Sequence, residues 1–70
     1  MSEPAELSEL FHKLNNQLGI ILSHAELLEA KVKEDAQRAR ATQVVTTTLE
    51  ALATARQIRL ALGTTSPHAL

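Results

Sequence analysis

His12 and Asn16 are the residues of this chain best suited to chemistry. They stand four positions apart, which on a helix places an amide one turn beyond an imidazole on the same face. A nucleophilic imidazole on an exposed helical face can take a phosphoryl group from an aspartyl phosphate or from ATP, because a neutral ring nitrogen is available near pH 7. An amide beside it can hold a water in line with a phosphorylated partner, or hydrogen-bond the phosphoryl oxygens. At about 100° per residue the same face also carries Gly19, Ile20, Ser23 and Leu27. Gly19 and Ser23 leave room for the close approach of another protein, and Ile20 and Leu27 offer it apolar contacts. A face that only met water would carry lysines and glutamates instead.

Each of these residues also has a plain structural explanation. A single histidine on a helix is more often solvated than reactive, Asn15 and Asn16 can be exposed polar residues, and Gly19 can be a packing accommodation. Ile20 and Leu27 can equally bury against a second hairpin. The other histidines add nothing. His24 lies about 18 Å along the axis from His12 and on a different face, too far to share a metal, and His68 falls in the C-terminal tail. No metal or cofactor is expected. Thr46, Thr47 and Thr48 are ambiguous between packing and solvent, and Arg38, Arg40, Arg56 and Arg59 read as a solvated, ion-paired face.

These side chains need a long rod to position them. Apolar residues fall at 7, 11, 14, 18, 21, 25, 28 and 32 in alternating steps of four and three, a heptad seam of almost four repeats. The pattern predicts a helix over about 4–32, with Pro4 suited to its first turn, roughly 40 Å long. Beyond Val32 the register reaches Asp35, Thr42 and Thr46 and dissolves. A turn over about 33–36 follows, although no glycine or proline marks it and one unbroken helix is the alternative. A second stripe through Ala41, Val44, Thr48, Ala51, Ala55, Ile58 and Leu62, widened by Val45, Leu49 and Leu52, predicts a helix over about 37–62. The five consecutive β-branched residues 44–48 favour a strand by propensity, but their helix-forming flanks override them. Gly63 and Pro67 read as a stop, with a flexible tail over 63–70.

The expected fold class is all-α: an antiparallel two-helix hairpin, one domain, dimerising into a four-helix bundle. The dimer follows from size. In 70 residues without a cysteine, neither disulfides nor thiolate metal sites are available, and a lone core this small rarely supplies more than about 3–5 kcal/mol. Two hairpins related by a two-fold axis make a continuous centre. The formal charge of −1 gives no electrostatic footprint for nucleic acid or an anionic membrane. The apolar run 18–22 is too short to cross a bilayer, and the acidic N-terminus is unlike a signal peptide, so a cytoplasmic location is expected.

The run FHKLNNQLGIILSHAELLEA, residues 11–30, resembles the first helix of the dimerisation and histidine-phosphotransfer domain of bacterial sensor histidine kinases. The likeness is to the subgroup whose box reads His-Asp-Phe-Asn-Asn, followed by Leu and an Ile-Leu-rich stretch ending in Glu-Leu-Leu. His12, Leu14, Asn15, Asn16, Leu18, Ile21, Leu22, Glu26, Leu27 and Leu28 match in order, covering nearly all of the first helix and no diagnostic part of the second. The resemblance implies that His12 is a phosphoacceptor, that Asn16 supports dephosphorylation of a response regulator, and that the fold is a dimeric four-helix bundle.

Two departures qualify that implication. Lys13 stands where the family usually places Asp or Glu as a base and orienting group for the histidine. Nothing in the 70 residues resembles an ATP-binding domain or a glycine-rich phosphate loop, so a self-sufficient kinase is not expected. Lys13 is compatible with phosphotransfer, since an ammonium can neutralise phosphoryl charge while a receiver supplies its own acid and metal.

The functional expectation is a stand-alone two-component module. It docks a response-regulator receiver along His12, Lys13, Asn15, Asn16, Gly19, Ile20, Ser23 and Leu27, and either relays phosphoryl through His12 or promotes dephosphorylation through Asn16. The alternative is a non-catalytic adaptor that keeps the bundle and the docking face, which Lys13 favours. A purely structural bundle is the third possibility.

Overall fold

The computed structural model describes residues 5–63. Two helices, α1 (Ala5–Lys31) and α2 (Asp35–Gly63), pack against each other as an antiparallel hairpin. The alternative of one unbroken helix is thereby overturned. The Pro4 start, the tail beyond Gly63 and His68 lie outside the described residues.

The connection is shorter than the expected turn over 33–36, comprising only residues 32–34, and α2 begins at Asp35 rather than at 37. The local hydrogen bonds explain this. The Val32 N–H still donates to the Leu28 carbonyl, and the Arg38 N–H donates to the Glu34 carbonyl, each at 2.9 Å. Glu34 therefore already accepts the first bond of α2, as an N-cap does, and Asp35 places negative charge in the first turn, where the helix dipole favours it. At the other end of the turn the Arg38 guanidinium donates to the Val32 carbonyl through Nη2 at 2.8 Å and Nε at 3.2 Å. It satisfies an acceptor left without a partner where α1 stops. Arg38 is thus a cap rather than a member of a solvated ion-paired face.

Two cross-helix contacts and the cap at the turn set the register. The Arg59 guanidinium lies over the Phe11 ring, the Thr42 hydroxyl donates to Glu29 Oε2 at 2.6 Å, and Arg38 caps Val32. Each pairs positions whose numbers total about seventy, so the two helices run past each other without a shift. The core between them is thin. Phe11, Ala25, Ala41 and Ala55 are its buried apolar residues, joined by buried Thr48. Leu7, Leu18, Leu22, Val32, Val45, Ala51 and Leu52 are half-buried around them. Thr48 therefore packs inside the hairpin, and Arg59, expected in solvent, is half-buried against Phe11.

The heptad seam does not act as one surface. Phe11, Leu18, Ala25 and Val32 turn toward α2, whereas Leu14, Ile21 and Leu28 remain 40%, 46% and 58% exposed. On α2 the stripe divides likewise: Ala41, Thr48 and Ala55 pack inward, while Val44, Ile58 and Leu62 stay exposed. Leu49, at 50% exposure, does not widen the buried stripe. The molecule is a slab of 51 × 24 × 11 Å, which is a single layer of two helices. A finished domain buries its apolar faces between at least two layers.

Candidate functional site

His12, Lys13 and Asn16 line one shallow depression of about 500 Å³, together with Ser8 and Glu9. All but half-buried Ser8 are exposed. The helical rise and 100° step account for the grouping, since residues three and four apart stand side by side on a helix. Glu9 precedes His12 by one turn and Asn16 follows it by one turn. Glu9 and Lys13 also border a second depression with Glu6 and Leu10, so these two residues stand between it and the His12 site.

The turn carrying His12 is anchored from beneath. Phe11 is 7% exposed, and the Arg59 guanidinium carbon lies 5.8 Å from its ring centroid. A cation over an aromatic face is attracted by the ring quadrupole. Burying Phe11 while leaving its neighbour His12 exposed directs the imidazole away from the hairpin core.

Asn15, Ser23 and Leu27 are exposed farther along α1, and Gly19 is half-buried. A Cβ built on Gly19 would meet no heavy atom within 4 Å, so nothing in the hairpin itself requires a glycine there. Ile20 is placed differently from the rest of the expected strip. It lines a groove of about 290 Å³ with Ile21, His24, Ala25, Leu28, Ala41 and Val44, on the flank away from His12. A second groove of about 440 Å³ is lined by residues of both helices, among them Leu14, Leu18, Ala51 and Ile58. The two lie end to end along one face. By the helical step, the groove residues and His12 diverge to opposite sides of the line of contact between the helices.

Among the described residues no group of three or more His, Cys, Asp or Glu side chains is placed to hold a metal ion. No helix among them is long and apolar enough to cross a membrane. Reading the sequence had singled out His12, Lys13 and Asn16 but passed over Ser8 and Glu9. The signal was present, because Glu9 is spaced i−3 from His12 and i−4 from Lys13, both helix-neighbour distances.

The fold and site define a helical hairpin with an imidazole and an amide on one flank and an unpaired apolar groove on the other. Comparison with protein-family models, with curated proteins and with solved structures finds no match to this chain.

Proposed function

We propose that the chain is a two-component signalling module of the histidine-phosphotransfer type. It acts as a homodimer that docks a response-regulator receiver on its His12 flank, in the cytoplasm. The phosphoryl group is relayed through His12, or receiver dephosphorylation is promoted through Asn16. One observation carries the reading: His12 and Asn16 share an exposed depression one turn apart, on the flank opposite the apolar groove. A molecule that used the groove for assembly would leave the imidazole and the amide open to a second protein.

The groove supports the homodimer. Its walls are almost wholly apolar, from Leu14, Ile21 and Leu28 on α1 and Val44, Ala51 and Ile58 on α2. The slab face spans 51 × 24 Å, an extent on the scale that a standard interface of ~800 Å² per partner needs. Two such faces together make the four-helix bundle that a single hairpin lacks.

The test is to mix the protein with phosphorylated receiver domains from the same organism and follow label on both. Label on the protein that vanishes in His12→Ala supports the relay. Receiver decay that slows in Asn16→Ala supports the dephosphorylation role. Lys13 favours a second reading, a non-catalytic adaptor, and binding that survives both substitutions without any phosphoryl movement would establish it.

A further inference from the structure

We propose that Glu9 is a positioning residue for His12, its carboxylate accepting the N–H of one ring nitrogen while the other attacks phosphorus. The inference rests on the phosphoryl-acceptor reading of His12. Its structural basis is the depression that Glu9, His12, Lys13, Ser8 and Asn16 line together.

A neutral imidazole carries its proton on one of two nitrogens, and the hydrogen bond made by one decides which remains free. When the free nitrogen takes a phosphoryl group, the ring becomes cationic unless it sheds the remaining proton. An acceptor on the N–H therefore does two things: it fixes the tautomer before reaction, and it stabilises the charge that develops during it. Of the side chains lining the depression, only Glu9 is a carboxylate. It stands one turn before His12, where side chains on a helix are neighbours.

A carboxylate near an arriving phosphoryl group also brings repulsion. Lys13, at i+4 from Glu9, is in the favourable order for an acid and a base on a helix and borders both depressions with it. The ammonium offsets the Glu9 charge on the side where the phosphoryl oxygens arrive. Asn16, one turn on the other side of the imidazole, is left for the oxygens or the attacking water. The basic residue after the histidine and the acid three before it thus divide one electrostatic task.

The test uses the full chain and phosphoramidate, which needs no protein partner. Its P–N bond breaks as a His12 nitrogen forms a new one, and ammonia leaves with the electron pair of the broken bond. Ring ¹⁵N shifts, measured without any donor, report the His12 tautomer, with His24 as an internal control. In the wild type one tautomer is expected to dominate. In Glu9→Gln both are expected to be populated, with His12 phosphorylation slowed about tenfold and helicity unchanged. Adding Lys13→Asp to Glu9→Gln supplies a carboxylate on the other side of the ring and is expected to recover part of the rate.

An unchanged tautomer ratio in Glu9→Gln, with transfer that still depends on His12, would overturn the role of Glu9 alone. Phosphoryl transfer from phosphorylated receivers that ignores His12→Ala would instead remove the reading beneath it, and the proposal with it.

Discussion

Arg59 and Phe11 are stacked, the guanidinium carbon 5.8 Å from the ring centroid. The pair joins the last turns of α2 to the turn of α1 that presents His12. Arg59→Ala is expected to destabilise the protein by about 1 kcal/mol. Phe11→Ala removes the chain's one aromatic side chain from a thin core and is expected to cost about 3–5 kcal/mol, enough to unfold most of the population. Urea melts followed by circular dichroism measure both, and a double-mutant cycle with Arg59→Ala and Phe11→Leu isolates the stacking. Equal melts for wild type and Arg59→Ala would show that the stack is not stabilising.

Gly19 separates stability from docking. The space around it accepts a methyl group freely, and alanine is about 1 kcal/mol better than glycine inside a helix. Gly19→Ala is therefore expected to stabilise the hairpin by about that amount in thermal or urea melts. If a receiver seats against this flank, the same substitution weakens its binding, and a larger Gly19→Leu weakens it further. Gly19→Leu with receiver affinity at the wild-type level would remove Gly19 from the docking surface.

The groove face is expected to hold the second copy. Ile21→Glu places a charge among Leu28, Ala41 and Val44 and should turn the sedimenting species into a monomer, with a large loss of helicity because one layer cannot shield its own apolar face. Leu27→Glu, outside the groove residues and also exposed, should sediment like the wild type. A wild-type protein that stays a folded monomer at micromolar concentration would sink the dimer.

Arg38 holds the turn together by capping Val32 with two hydrogen bonds. Charge-assisted bonds to a helix C-terminus are worth about 1–2 kcal/mol. Arg38→Ala is expected to lose stability on that order, whereas Arg40→Ala, exposed on the neighbouring turn, should change the melt little. Hydrogen exchange of the Val32 and Arg38 amides, which donate to the Leu28 and Glu34 carbonyls, should quicken in Arg38→Ala, because Arg38 joins the start of α2 to the end of α1.

Helical character and the outward direction of His12 and Asn16 were both legible in the residues. Steps of three and four over 7–32 allow only a helix, and an imidazole two-sevenths of a turn from Phe11 has to leave the core if Phe11 enters it. The division of the apolar seam was not legible. A stripe of heptad residues states that one side of a rod is apolar, but it is wider than a single neighbouring helix can cover. Which half packs depends on the angle at which that neighbour lies. The same limit hid Arg59, whose partner is far away in sequence, and placed the turn about two residues too late, since Asp35 and Glu34 look like loop residues until the Glu34 carbonyl is seen accepting from Arg38.

Local periodicity thus determined two rods, their lengths within a few residues, and the polar flank carrying His12 and Asn16. Tertiary structure decided how the rods face each other: the unshifted register set by the short connection at 32–34, Phe11 beneath Arg59, and Leu14, Ile21 and Leu28 left beside Val44 and Ile58 as an open groove. The reason is physical. Helix period is a property of neighbours along the chain, whereas the choice of which apolar residues are buried is made by contacts between residues tens of positions apart, which no local spacing encodes.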